Sequence, residues 1–217
     1  MPKVGVILSG CGKLDGSEIH EAVLTLLYLN QAGVKTVCMA PDMDVPVYDH
    51  ITSQATKEKR NVLVESARIA RGDIVNISKI DPSDLDALIL PGGFGAAINL
   101  SDFALKGANA TVHPEVQRII EQINKQNKPI GAICIAPATL AKALSSKKPE
   151  VTIGNDISTA SNIEGAGGKH INCSVDDVII DKKNNLVSTP AYMLGPEIKD
   201  IAKGIEKLVK EVIKLIP

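Results

Sequence analysis

The chain has 217 residues, enough for a sizeable hydrophobic core, and this length is typical of one α/β domain. A formal net charge of −1 and a hydrophobic content of 44% argue against a disordered chain and against a nucleic-acid partner. Aromatic residues make up only 2% and tryptophan is absent, so a platform for stacking bases is not expected. No apolar run approaches the roughly 20 residues that cross a bilayer, and we expect no membrane segment.

The predicted elements of the first half alternate between strands and helices. In order, they are a strand at 4–9, a helix capped by Ser17 that ends before Gly33, a strand at 34–39, an irregular region at 41–59 with one short strand at 45–48, a helix at 61–71 and strands at 74–80 and 85–90.

The second half continues this alternation with shorter elements. They are an amphipathic helix at 113–127, a short strand before Cys134, a helix after it to about Leu144, a strand at 151–154, a glycine-rich helix or loop at 159–168, a hairpin of strands at 177–181 and 186–189, and a helix from Pro196 to about Ile216. Such alternation predicts a mostly parallel sheet with helices on both faces, in one domain spanning 1–217.

The four cysteines, Cys11, Cys38, Cys134 and Cys173, are far apart and form no Cys-x-x-Cys pair. This spacing argues against a zinc site and against a secreted disulfide framework. The N-terminus enters a strand at once, without the features of a signal peptide. We therefore expect a cytoplasmic protein. No set of carboxylates and histidines has metal-ligand spacing, and we expect no metal and no cofactor.

Cys134 lies between a short apolar strand and a helix that opens with Ala136-Pro137-Ala138. Proline is at home in the first turn of a helix. A side chain on such a sharp turn points out at the carboxyl edge of the sheet, as in a nucleophile elbow. The helix N-terminus beneath the sulfur would stabilise the thiolate. The same residues also fit a buried cysteine at an ordinary junction, and both interpretations stay open.

Sites in open α/β sheets lie beyond the carboxyl ends of the strands. The loops at 10–16, 91–97, 134–135 and 189–194 should meet there, close to the start of the first helix. This places Glu18, His20 and Glu21 within reach of Cys134. Glu18 and Glu21 share a helix face while His20 points elsewhere. The alternative is that Glu18 and Glu21 have no catalytic role and lie there because the helix dipole favours acidic residues in the first turn.

The stretch Pro91-Gly92-Gly93 follows a strand but does not fit a dinucleotide loop, because Ile98 occupies the third glycine position. Two glycines can instead turn their peptide N–H groups toward a developing oxyanion, together with the N–H of Ile135. A plain turn is the alternative interpretation.

Two further residues are weaker candidates. Cys11 lies in the first loop, either as a second thiol for redox chemistry or as a small packing residue. His170 lies in a strand-like segment, where a structural role competes with a functional one. His113 precedes Pro114 at a helix start and is expected at the surface.

Five stretches together resemble a known family: 8–12 (LSGCG), 15–22 (DGSEIHEA), 91–97 (PGGFGAA), 134–138 (CIAPA) and 189–194 (TPAYML). They resemble the ElbB-type glyoxalases of the PfpI-like superfamily, which also holds the class I glutamine amidotransferase domains and the parkinsonism-associated deglycase. The resemblance covers essentially the whole chain. It implies a flavodoxin-like three-layer sandwich, a homodimer and a catalytic cysteine at Cys134.

The resemblance also places the first-helix glutamate of the family on Glu21 and its diglycine on Gly92 and Gly93. Protease and amidotransferase relatives carry a histidine after the nucleophile or on a later loop, whereas Ile135 follows Cys134 here. This departure argues against hydrolysis of peptides or glutamine.

The resemblance favours a cofactor-independent glyoxalase that acts on glyoxal and small 2-oxoaldehydes. In this hypothesis Cys134 adds to the aldehyde and Glu21 moves a proton between the two carbons. The N–H groups of Gly93 and Ile135 hold the oxyanion in this hypothesis. Two alternatives stay open: a redox-sensing or partner-binding dimer with an oxidisable cysteine, and a deglycase that uses the same site.

Overall fold

The structure is a computed structural model that describes all residues from Met1 to Pro217. It contains eleven strands: β1 Lys3–Ile7, β2 Lys35–Ala40, β3 Asp44–Asp49, β4 Gln54–Asn61, β5 Val75–Asn76, β6 Ala87–Leu90, β7 Ile130–Ile133, β8 Glu150–Val151, β9 Lys169–His170, β10 Ile179–Asp181 and β11 Leu186–Thr189. Its eight α-helices are α1 Ile19–Gln31, α2 Val62–Ile69, α3 Phe94–Ile98, α4 Phe103–Lys106, α5 Pro114–Lys125, α6 Ala136–Ala143, α7 Ile157–Gly165 and α8 Ile198–Lys214.

Seven strands form the central sheet, in the order β10-β11-β7-β6-β1-β2-β5. All neighbours in it are parallel except β10 and β11, which form an antiparallel hairpin at one edge. Strands β6 and β7 are buried along their whole length, as expected for a parallel sheet covered on both faces. Their carboxyl ends lead directly into the diglycine and into Cys134.

Two large hydrophobic clusters fill the two faces of this sheet. One joins α1, α2 and α8 to the sheet, and the other joins α5 and α6 to it. The apolar stripe of α5 (Val116, Ile119, Ile120 and Ile123) is fully buried in the second cluster. The fold is therefore a flavodoxin-like α/β sandwich of three layers, which confirms the predicted fold class.

The hairpin of β3 and β4 was not expected from the sequence, which predicts an irregular region with one short strand. Strand β4 has the sequence QATKEKRN, and seven of its eight residues are exposed. Its pairing with β3 lies outside the central sheet. Because neither face of β4 is buried, the alternation of apolar and polar residues that marks a strand is missing.

The predicted strand at 74–80 is wrong over most of its length. Only β5, at Val75–Asn76, pairs with β2, and a single turn of 3₁₀-helix follows at Ile77–Lys79. The side chain of Asn76 accepts a hydrogen bond from the N–H of Ser78, and this cap ends the strand.

Two predicted helix starts also differ from the structure. Helix α1 is capped by Glu18, whose side chain accepts a hydrogen bond from the N–H of Glu21, whereas Ser17 is buried and accepts one from Ser9. Helix α8 begins at Ile198, after Glu197, so Pro196 lies outside it. Both corrections move the start by one or two residues. At α1 the hydroxyl group of Ser17 is already bonded to Ser9, and at α8 no side chain caps the helix.

None of the helices combines the length and the apolar character that a helix crossing a bilayer requires.

Candidate active site

Cys134 lies at the carboxyl end of β7, on the turn that leads into α6. Its φ angle of 61° falls in the left-handed region, which only a tightly built turn imposes on a residue other than glycine. The main-chain N–H of Cys134 donates a 2.9 Å hydrogen bond to the carbonyl of Thr189 at the end of β11. The backbone therefore has the strained strand-to-helix turn of a nucleophile elbow.

Gly92 allows the thiol of Cys134 and a carboxyl group to approach each other. A Cβ atom added at Gly92 would overlap the Cβ of Cys134 and the Oε2 of Glu21. The absence of a side chain on this turn brings Glu21, from α1, close to Cys134, and each of the two groups shifts the pKa of the other.

Glu21 is fully buried, and main-chain groups hold its carboxyl group in place. Oε2 accepts a hydrogen bond from the N–H of Gly92 at 3.0 Å, and Oε1 accepts one from the N–H of Tyr192 at 3.2 Å. Burial and the nearby charge of Glu18 raise the pKa of Glu21 to about 8, although these N–H groups oppose the rise. The carboxyl group therefore keeps its proton at neutral pH.

Opposing influences act on the pKa of the Cys134 thiol. Its side chain is only 7% exposed, and burial followed by the charge of Glu21 raises the pKa of the thiol well above its ordinary value. The N–H groups of Gly93 and Ile135 next to the thiol act in the other direction and favour a lower pKa. The thiolate expected at the helix N-terminus is therefore not the resting state, because burial outweighs the two N–H groups.

The diglycine divides its two N–H groups between different acceptors. The N–H of Gly93 faces the sulfur together with that of Ile135, whereas the N–H of Gly92 is occupied by Glu21. The sequence-based expectation that both glycines donate to an oxyanion is therefore wrong for Gly92. Its role in the structure is to hold the carboxyl group of Glu21.

An open cavity of about 970 Å³ lies above the sulfur. Eighteen residues line it, ten of them hydrophobic. They include Cys134, Gly93, Ile135, Phe94, Phe103, Leu105, Tyr192, Met193, Glu18, His20, Lys13 and Lys106. Because the cavity is mostly apolar and holds a few polar groups near the buried thiol of Cys134, it is the natural candidate for a substrate site.

His20 faces this cavity and pairs with a residue that the sequence analysis did not single out. Its Nδ1 atom lies 2.7 Å from the hydroxyl oxygen of Tyr192, and both residues line the cavity. Two signals point to Tyr192: its place in the loop at 189–194, which is expected at the carboxyl edge, and the stretch TPAYML, which carries part of the resemblance. The main-chain N–H with which it holds Glu21 has no signature in the sequence.

The two weaker candidates lie outside this cavity. Cys11 lines a separate small pocket with Asp15 and Glu65, and burial and the charge of Glu65 raise the pKa of its thiol. His170 accepts a 3.3 Å hydrogen bond from the N–H of Ile153 through Nε2, and burial lowers its pKa. His170 therefore connects β9 to the segment after β8, and neither Cys11 nor His170 is brought to Cys134.

His113 is not a simple surface residue. It caps helix α5, and its Nδ1 accepts a hydrogen bond from the N–H of Glu115. No three His, Cys, Asp or Glu side chains lie in an arrangement that could hold a metal ion.

The sequence profile of the DJ-1/PfpI family matches residues 11–192, a span that contains the elbow, the diglycine and Glu21. The chain belongs to the DJ-1/PfpI family. It is 42% identical to the rat "ES1 protein homolog, mitochondrial" over 98% of this chain and 84% of that protein. It is also 42% identical to the human "Glutamine amidotransferase-like class 1 domain-containing protein 3, mitochondrial", over 98% and 83%.

A solved structure agrees with this membership. The crystal structure of an isoprenoid biosynthesis protein with an amidotransferase-like domain from Ehrlichia chaffeensis superposes with a TM-score of 0.91 and 37% identity, over 98% of this chain and 99% of that one. This similarity supports the coarser part of the resemblance found in the sequence. The cytoplasmic location stays a prediction, since the names of the rat and human relatives both carry the word mitochondrial.

Proposed function

We propose that the protein is a cofactor-independent glyoxalase that converts glyoxal and related 2-oxoaldehydes into 2-hydroxy acids. The observation that supports this proposal best is the pairing of Cys134 with Glu21 at the floor of an open cavity. Addition of a thiol to an aldehyde needs a nucleophile, a proton acceptor and donors to the oxyanion. Cys134 supplies the first, Glu21 the second, and the N–H groups of Gly93 and Ile135 the third.

The first step is addition of the sulfur of Cys134 to one aldehyde carbon. The carboxylate form of Glu21 accepts the thiol proton as the carbon–sulfur bond forms and the carbonyl π electrons move to oxygen. The N–H groups of Gly93 and Ile135 stabilise the developing oxyanion, which becomes the hydroxyl group of a hemithioacetal when it takes up a proton.

The second stage turns the hemithioacetal into a thioester. The hydrogen on the sulfur-bound carbon leaves as a proton, an enediol forms between the two carbons, and a proton returns to the neighbouring carbon. Water then attacks the thioester, releases the 2-hydroxy acid and restores the thiol. For glyoxal the product is glycolate, and the overall change is the addition of one water molecule.

The test is glyoxal turnover by Cys134→Ser, with Cys11→Ser as the matched control. We expect the first substitution to reduce glycolate formation to the rate without protein, because a hydroxyl group with an ordinary high pKa is a poor nucleophile in this pocket. Cys11 lies outside the cavity, so its substitution should preserve turnover. Full turnover by Cys134→Ser would contradict the proposal.

The alternative of a redox sensor is less well supported by the geometry. Sensor cysteines are exposed and have a lowered pKa, whereas Cys134 is buried and its pKa is raised. A deglycase would use the same sulfur and stays an alternative within this proposal. A comparison of glycated adducts with free aldehyde as substrates separates the two activities. The homodimer expected from the resemblance also stays a prediction, and gel filtration with light scattering tests it.

A further inference from the structure

Glu21 is poorly placed to move a proton between substrate carbons. It is fully buried and does not line the cavity, and both of its carboxyl oxygens already accept main-chain hydrogen bonds. Because Cys134 lines the cavity, a carbon atom bonded to its sulfur would lie on the cavity side. The proton on that carbon therefore needs a base on the cavity wall.

The other ionisable residues of the wall are less suitable than His20. Lys13 and Lys106 have no acceptor lone pair when charged, and Lys106 is paired with Asp102. Glu18 is occupied in capping α1. His20 is exposed to the cavity, and its Nε2 atom makes no hydrogen bond within the chain. Histidine is also the residue type that most often exchanges protons near neutral pH.

The hydroxyl group of Tyr192 lies 2.7 Å from Nδ1 of His20. Burial and the charges of Glu18 and Glu21 raise the pKa of Tyr192, so the phenol keeps its proton. If Nδ1–H donates to the phenol oxygen, Nε2 is left as a base and the phenol proton is left as an acid. Both of these groups then face the same cavity.

We propose that His20 and Tyr192 are the acid–base pair that moves the carbon proton, an inference that rests on the proposed glyoxalase function. Nε2 of His20 removes the proton from the sulfur-bound carbon, and the electrons of that bond form the carbon–carbon double bond. The neighbouring carbonyl oxygen takes the proton of Tyr192. The imidazolium then protonates the neighbouring carbon, and the hydroxyl group on the sulfur-bound carbon returns a proton to Tyr192 as the thioester forms.

The experiment is glyoxal turnover in D₂O, with the hydrogen content of the product measured by NMR and mass spectrometry. His20 exchanges its N–H with solvent, so we expect the methylene carbon of glycolate to carry one deuterium. A buried base that does not exchange its proton with solvent, such as Glu21, would return the original hydrogen of the substrate to the neighbouring carbon. The uncatalysed rearrangement of glyoxal also keeps this hydrogen, and a sample without protein measures that background.

Substitutions complete the test. We expect His20→Gln to reduce turnover about 100-fold, within the usual contribution of general acid–base catalysis. In His20→Gln, the rate at which iodoacetamide alkylates Cys134 should stay within about twofold of the wild-type rate, because Glu21, Gly93 and Ile135 still surround the sulfur. Added imidazole should restore part of the turnover of this variant. Tyr192→Phe keeps the main-chain N–H on Glu21, and its turnover should fall about tenfold.

The outcomes separate this inference from the proposed function. Glycolate without deuterium from the wild-type protein, or wild-type turnover by His20→Gln, overturns the role of His20. No glycolate from the wild-type protein contradicts the glyoxalase function itself, and with it this inference.

Discussion

The coupled ionisation of Cys134 and Glu21 makes the chemistry of this site depend on pH. Below about pH 8 the carboxyl group and the thiol are both protonated, because burial raises both pKa values. When the pair loses one proton, Glu21 can accept the proton of the thiol as sulfur attacks. The pair, rather than the cysteine alone, is therefore the unit that ionises.

We expect glyoxal turnover to rise with pH and to level off above about pH 8, the pKa of Glu21. In Glu21→Gln this rise should disappear, and activity should appear only at higher pH, where the buried thiol ionises by itself. A pH profile of kcat/KM for both proteins is the measurement. An identical profile in the two proteins would show that Glu21 does not control the sulfur.

At the scale of single residues, the sequence allowed prediction of the groups that have a chemical signature. Cys134 before Ala-Pro-Ala, the diglycine and a glutamate in the first helix were all found. The sequence did not predict that the N–H of Gly92 is occupied by Glu21, or that the N–H of Tyr192 completes the same site. Every residue except proline carries such a donor, so only the folded backbone shows which one is used.

At the scale of elements, β7 leads directly into Cys134, and α8 packs against this strand. A Cβ atom added at Gly131 of β7 would crowd Leu208 and Val212 of α8. The glycine therefore lets the helix approach the strand that ends in Cys134.

We expect Leu208→Ala to lower the free energy of unfolding by about 2–5 kcal/mol, the usual cost of removing a fully buried leucine. Leu208 is 0% exposed, whereas Leu105 of α4 is 78% exposed and supplies a matched control. Leu105→Ala should change the free energy of unfolding by less than about 0.5 kcal/mol. Urea denaturation of the three proteins measures both effects, and equal values for the two variants would contradict the assignment of the core.

Buried elements were predicted well and exposed ones poorly. The stripe of α5 and the apolar runs of β6 and β7 have the periodicities that burial imposes on a sequence. Strand β4 has no buried face, and β5 stops after two residues because a side-chain cap intervenes. Secondary structure that is held by pairing or capping alone leaves little trace in the pattern of apolar residues.

For the molecule as a whole, the cavity is much larger than glyoxal needs. A volume of about 970 Å³ with a mostly apolar wall can hold a long aliphatic chain beside the reacting aldehyde. Since each buried methylene contributes about 0.8 kcal/mol, several of them would lower KM by at least about tenfold.

We therefore expect 2-oxooctanal to have a KM at least about tenfold below that of methylglyoxal, which shares its reacting group. Ala104 is exposed and lines the cavity, so Ala104→Trp should fill this space and remove the advantage of the longer chain. Steady-state kinetics of both substrates with both proteins gives the comparison. Equal KM values in the wild-type protein would mean that the cavity does not bind the rest of the substrate.

Tyr192 has a consequence for how this protein can change during evolution. Its main-chain N–H holds Glu21 and its ring contacts His20, so one residue after β11 supports two different parts of the site. Point mutations of the ring would alter only the contact with His20. An insertion or deletion between Thr189 and Tyr192 would displace both groups at once. In descendants of this chain, the length of that loop should therefore vary far less than the identity of the side chain at position 192.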